Sequence, residues 1–249
     1  MPDRSVRIAT RNGELSAFLA TGATTATGAT GAGGGEPRPG VLVLHELFGL
    51  TDDIRRIARR FAEHGYVALA PDLYSVDRAP RPICMRRTMQ ALGAGGGRPL
   101  DDIEAARAWL ADRPEVDASR LAVAGFCMGG GFAILYAARA PVGAVADFYG
   151  AVPEQAAALE GICPVVGAYG GRDAVFGSHA ERLRGHLDAL GVEHQVTVYD
   201  DAGHSFMSEY GRLQSLLVRF GPMQAGGHQP SADAAWTRML EFFERQLSG

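Results

Sequence analysis

The strongest constraint on how this chain folds is an alternation. Short continuous apolar runs, bounded by turn residues, take turns with stretches whose apolar residues recur at helical spacing. "GVLVLHE" is followed by "TDDIRRIARRFAEHG", where Thr51 caps a helix with an apolar side of Ile54, Ile57, Ala58 and Phe61. "YVALAPDLYS" and "RLAVAGF" repeat the buried-strand pattern around the amphipathic "DDIEAARAWLADR", and "MGGGFAILYAARA" reads as the next helix. "VGAVADFYG", "CPVVGAYGG" and "HQVTVYD" read as further strands, with "HAERLRGHLDALG" as a helix before the last and "SADAAWTRMLEFFERQL" as a closing helix. Strands that are apolar throughout need cover on both faces, so the pattern predicts an α/β fold with a mostly parallel central sheet between helical layers. At the start, "SVRIAT" and "ELSAFLA" flank Asn12-Gly13, a tight-turn pair that predicts an N-terminal antiparallel hairpin.

A chain of 249 residues is long enough for one domain, spanning 1–249, with a full hydrophobic core. The Gly/Ala/Thr-rich stretch at about 21–39 has no apolar periodicity and is expected to be a flexible loop. A formal net charge of -4 gives no electrostatic footprint for nucleic acid. No apolar run approaches the roughly 20 residues that span a bilayer, and the first residues lack an apolar signal core. With three cysteines that cannot all pair within one chain, a cytoplasmic protein without membrane contact is expected, as a monomer or homodimer. All 24 basic residues are arginine, which excludes any mechanism that needs a lysine amine. The histidines show no metal-ligand spacing, so no metal site is expected.

Functional residues of such a sheet lie in the loops after its strands. "GFCMGG" puts Cys127 at a Gly-x-Cys-x-Gly turn from strand into helix, a nucleophile elbow with sulfur in place of oxygen. Asp173 follows "VVGAYGGR" and His204 follows "VTVYDDAG", giving the chain order nucleophile, acid, histidine used by α/β-hydrolases. A neutral imidazole can take the thiol proton, and a carboxylate on its far nitrogen fixes the tautomer. The helix N-terminus favours negative charge on sulfur. By the logic of the elbow, the backbone N–H groups of Met128 and Leu47 form the oxyanion hole. Tyr149 and Phe206 read as apolar lining of the substrate pocket, with ordinary core packing as the alternative.

"LHELFGL", "APDLY", "GFCMGG", "GGRD" and "AGHSF" occur in this order, and together they resemble the motifs of the dienelactone hydrolase family within the α/β-hydrolase superfamily. The resemblance implies a triad of Cys127, His204 and Asp173 and a contact of Glu46 with the nucleophile that helps activate the thiol. It also implies a small-molecule lactone or ester substrate and no cofactor. Arginines hold the substrate carboxylate in that family. Here "HSFMSEYGR" places Met207 and Ser208 where one of them is expected, and Arg86 and Arg87 in "CMRRTMQALG" are the candidates for the other.

The resulting expectation is a hydrolase that opens a lactone or small carboxylic ester through an acyl-cysteine intermediate. A general carboxylesterase or thioesterase on the same triad is the alternative, and a non-catalytic binding protein on the same fold is a third reading. For the single residues the plainer readings are a buried structural cysteine at Cys127, a turn residue at Asp173, a packed loop histidine at His204 and an ion-paired carboxylate at Glu46.

Overall fold

A computed structural model describes residues 3–22, 36–209 and 222–248. Most of the Gly/Ala/Thr-rich stretch expected as a flexible loop, residues 23–35, lies outside the described residues. The strands are β1 (Arg4–Thr10), β2 (Gly13–Ala20), β3 (Arg38–Leu44), β4 (Val67–Pro71), β5 (Val116–Phe126), β6 (Ala144–Phe148), β7 (Val165–Gly170) and β8 (His194–Tyr199). The helices are α1 (Asp52–Glu63), α2 (Arg81–Gly93), α3 (Arg98–Ala111), α4 (Met128–Ala137), α5 (His179–Leu190) and α6 (Gln229–Leu247), with a short 3-10 turn at Ala156–Leu159.

One sheet contains all eight strands in the order β1-β2-β4-β3-β5-β6-β7-β8. β1 pairs antiparallel with β2 through the predicted tight turn, Thr10 opposite Gly13, and β2 pairs antiparallel with β4. Every remaining pairing is parallel. Strands β4, β6 and β7 are buried at every position, as strands covered on both faces must be.

Helices α1 and α6 cover one face. Phe61 of α1 meets Trp236 and Phe243 of α6, with ring centroids 4.7 and 6.4 Å apart. The Thr51 side chain caps α1 by accepting from the Ile54 N–H at 3.4 Å, and the buried residues Ile54, Ile57, Ala58 and Phe61 form the apolar side read from the sequence. Helices α2 to α5 cover the other face, and α4 is buried along its whole length against β5 and β6. Among the described residues, no helix is long and apolar enough to cross a membrane.

Candidate active site

The parallel strands all end at the same edge of the sheet, and the loops after β3, β5, β6, β7 and β8 carry the residues singled out above. Cys127 sits between β5 and α4 with φ 53° and ψ -115°, a left-handed backbone that a residue with a side chain rarely adopts. The turn is held from both sides. The Cys127 N–H donates to the Phe148 carbonyl at 3.0 Å, and the Cys127 carbonyl accepts from the Gly130 N–H at 3.0 Å. The flanking glycines are required by close approach rather than by their own torsions. A Cβ on Gly125 would lie 2.1 Å from the Gly129 carbonyl oxygen, and one on Gly129 would lie 2.3 Å from the Leu44 carbonyl oxygen. The first turn of α4 is thereby pressed against the end of β3.

That contact brings together the two residues read as oxyanion donors. The Tyr74 hydroxyl donates to the Leu47 carbonyl at 2.7 Å and lies 3.4 Å from the Met128 sulfur, joining the two loops. His45 fixes the same loop from beneath. Its Nε2 accepts from the Leu73 N–H at 3.1 Å, so its Nδ1–H donates to the Glu46 carbonyl at 2.7 Å. Burial lowers the proton affinity of His45, in keeping with this neutral tautomer.

Asp173 is almost wholly buried, and its two oxygens have different tasks. Oδ1 accepts from the Val175 and Phe176 N–H groups, each at 3.0 Å, and Oδ2 accepts from His204 Nδ1 at 2.6 Å. The His204 backbone is clamped as well, with its N–H donating to Met223 and its carbonyl accepting from Gly226. Its imidazole lies between the rings of Phe176 and Tyr149, at 4.9 and 5.0 Å. With Nδ1 taken by Asp173, Nε2 is buried without a hydrogen-bond partner among the described residues. Burial alone lowers the proton affinity of His204, but the Asp173 carboxylate and the Cys127 sulfur together outweigh it and raise the imidazole to about 10. Cys127 itself is partly exposed.

Glu46 is buried beside this group. Its Oε1 accepts from the Ser208 hydroxyl at 2.6 Å and from the Tyr149 hydroxyl at 3.2 Å. Phe206 is buried edge-on to Tyr149 at 5.4 Å, and of the two it is the Tyr149 ring that packs on His204. Arg86 and Arg87 stand apart: both are exposed, and Arg87 is ion-paired with Asp77 at 2.9 Å. A guanidinium of α2 that does reach this edge is Arg81, which donates to the Phe48 carbonyl at 3.1 Å, lies over the Tyr74 ring at 4.9 Å and is ion-paired with Asp72 at 3.4 Å. Arg81, Tyr74, Phe176 and Ser208 were missed as site residues in the sequence. Tyr74 carried a signal there, inside the "APDLY" loop, and Ser208 stood where the resemblance expects an arginine. No cluster of three or more His, Cys, Asp or Glu side chains among the described residues is arranged to hold a metal ion.

A nucleophile-type elbow at the carboxyl edge of such a sheet defines an α/β-hydrolase, and comparison with known proteins agrees. The family model for the dienelactone hydrolase family matches residues 25–247. A relative from Escherichia coli (strain K12) is 33% identical over 224 residues, covering 84% of this chain and 78% of its own. The carboxymethylenebutenolidase of Rhodococcus opacus is 31% identical over 227 residues, covering 84% of this chain and 81% of its own. The solved structure m3DLH superposes with a TM-score of 0.77 at 28% identity, over 99% of this chain and 98% of that one. The chain belongs to the dienelactone hydrolase family, and it is a hydrolase.

Proposed function

We propose that the chain hydrolyses a lactone or small carboxylic ester with Cys127 as nucleophile, His204 as the proton carrier and Asp173 as its orienting carboxylate. The observation that carries this reading is the imidazole held by Asp173 at 2.6 Å, its other nitrogen buried without a hydrogen-bond partner among the described residues and its proton affinity raised by the Cys127 sulfur as well as by Asp173. His204 Nε2 takes the thiol proton, and Sγ attacks the carbonyl carbon. The resulting oxyanion is met by the N–H groups of Leu47 and Met128, and the first turn of a helix leaves such groups without intrahelical acceptors. Collapse breaks the bond to the leaving oxygen, which takes the proton from His204. A water molecule then gives a proton back to His204 and attacks the acyl-cysteine, releasing the acid and restoring the thiol. Glu46, steadied by Ser208 and Tyr149, contacts the nucleophile and helps activate the thiol as substrate binds.

The substrate class follows from the arginines. Arg87 is paired to Asp77, Arg86 is exposed, and Arg81, the arginine of α2 at this edge, is paired to Asp72 and bound to the Phe48 carbonyl, which favours uncharged esters and lactones over strict carboxylate recognition. The test is a panel of lactones, oxygen esters and thioesters, each with and without a carboxylate, on wild type and Cys127→Ala. Hydrolysis should vanish in Cys127→Ala, and iodoacetamide should modify Cys127 before Cys84 or Cys163 with loss of activity in step. Uncharged substrates should reach kcat/KM within about two orders of magnitude of their charged analogues, roughly 2.7 kcal/mol. Activity that survives full modification of Cys127 would remove the nucleophile assignment. A carboxylate preference well above a thousandfold would restore a strict dienelactone-type substrate.

A further inference from the structure

One buried carboxylate takes no part in the chemistry above. Asp147, in β6, is fully buried in the sheet next to the elbow. In the parallel register it stands beside Gly125 of β5 and Gly167 of β7, so Tyr169, two residues beyond Gly167, shares its face. Asp147 Oδ2 accepts from the Tyr169 hydroxyl at 2.5 Å, and Oδ1 accepts from the Gly150 N–H at 2.9 Å. The carboxylate fills a narrow gap. A Cβ on Gly130, in the first turn of α4, would lie 2.3 Å from Oδ1, and one on Gly150 would lie 2.2 Å from it.

The bond from Gly150 back to Asp147 closes a turn over Phe148 and Tyr149, and both of these residues matter to the site. Phe148 supplies the carbonyl that holds the Cys127 N–H. Tyr149 has φ 47°, a left-handed conformation that costs free energy for an aromatic residue and persists only where its surroundings impose it. Two bonds impose it here: the Tyr149 N–H donates to Ala168 at 2.8 Å, and the next N–H, that of Gly150, donates to Asp147. The turn delivers the Tyr149 hydroxyl to Glu46 and the Tyr149 ring to His204.

We propose that Asp147 is a positioning residue for hydrolysis: held by Tyr169, it locks the left-handed turn that carries Tyr149 to Glu46 and His204, and it backs the helix turn behind Cys127. The inference rests on the triad reading given under the proposed function. Asparagine can replace aspartate in this role, because its amide oxygen accepts from Gly150 while its NH2 donates to the Tyr169 oxygen. Leucine matches the shape but offers no acceptor.

The experiment measures kcat and KM per folded enzyme, on an ester that the wild type turns over, for Asp147→Asn, Asp147→Leu and Tyr169→Phe, with Cys127→Ala alongside. Circular dichroism and thermal midpoints establish the folded fraction. Displacing a group that orients the base costs about ten- to a hundredfold in turnover, so Asp147→Leu should lose that much in kcat with KM changed by less than about threefold. Asp147→Asn should stay within about threefold of wild type. Tyr169→Phe keeps the Gly150 bond and should lose roughly three- to tenfold, which provides a measurement if Asp147→Leu does not fold. A purely structural role would lower the thermal midpoint and leave kcat per folded molecule untouched. That result, or an Asp147→Asn variant as impaired as Asp147→Leu, overturns the proposal. Unchanged kcat in Tyr169→Phe overturns it as well. An active Cys127→Ala instead overturns the triad reading, so the two failures can be told apart.

Discussion

The ends of β6 and β7 carry two buried aspartates built on one plan. Asp147 and Asp173 each present Oδ1 to backbone N–H groups of the following turn and Oδ2 to a ring-bearing side chain. The difference is the chemistry of that ring. His204 can become a cation, so the charge on Asp173 has a counter-charge whenever the imidazole is protonated. Tyr169 is a phenol with no cationic form, and burial pushes Asp147 up to about 6 even though both of its hydrogen bonds pull it down. The same cradle therefore makes an electrostatic partner at one strand end and a geometric brace at the next.

The largest effect that can break this comparison is on turnover. Asp173→Asn keeps the shape of the side chain but removes the charge that stabilises the imidazolium and the acceptor that fixes its tautomer. Its kcat should fall about 10²- to 10⁴-fold with an unchanged circular dichroism spectrum, and His204→Ala should fall comparably. The equivalent change at the neighbouring strand end, Asp147→Asn, should leave kcat nearly intact. Equal losses at the two positions would mean that charge matters equally at both and that the division of labour is wrong.

How far this division could be read from the sequence depends on the range of the contacts. The elbow was legible because the backbone at Cys127 needs glycines on both sides, a demand written in five consecutive residues. Asp173 and His204 were legible because each follows a strand pattern in the order that the chemistry needs. The hairpin and the Thr51 cap were legible for the same local reasons. Asp147 was not, since "VGAVADFYG" reads as a buried strand and its partner Tyr169 lies 22 positions along, met only through the parallel register of β6 and β7. Ser208 and Glu46 are 162 positions apart, and nothing local marks them as a pair. On α2 the sequence directs attention to Arg86 and Arg87, whereas Arg81, at the first position of the helix, is the arginine aimed at the loop after β3.

A smaller effect separates the two aspartates by the sign of their pH dependence. Asp147 has a folded-state value raised from 3.8 to about 6, so the unfolded chain ionises first as pH rises. Stability is fully present below about 4, is lost between about 4 and 6, and stays lower above that by about 3 kcal/mol. Asp147→Asn removes this dependence and should gain stability over wild type at pH 8 but not at pH 4. At the other strand end the imidazole has the raised value, so the Asp173–His204 pair stabilises most below the ordinary histidine range and loses its effect as pH climbs towards about 10. Asp173→Asn should therefore cost stability at pH 6 and progressively less at higher pH. Urea denaturation of both variants from pH 4 to 9 measures the two slopes. A loss of stability at pH 8 in Asp147→Asn would mean that its carboxylate is favourable where it lies and that charge serves both strand ends.

The smallest effect is the coupling between the two. Among the described residues Asp147 and Asp173 share no hydrogen-bond partner, and the rise at Asp147 comes from burial rather than from the charge of Asp173. Residues that share no partner perturb stability independently, so the double variant Asp147→Asn/Asp173→Asn should equal the sum of the singles within about 0.5 kcal/mol. Two routes could make this fail, and the first is the contact between the Tyr149 ring, placed by Asp147, and the His204 ring, held by Asp173, at 5.0 Å. In the second, Tyr169 is followed in the chain by Gly170, whose carbonyl accepts from the Asp173 N–H at 3.2 Å, so movement of Tyr169 could reach Asp173 through one peptide. A coupling above about 1 kcal/mol, measured by urea denaturation at pH 8, would show that one of these links transmits and that the two strand ends form one network. Additivity within the smaller limit would leave the brace at β6 and the electrostatic partner at β7 as separate devices, each acting on its own side of Tyr149 and His204.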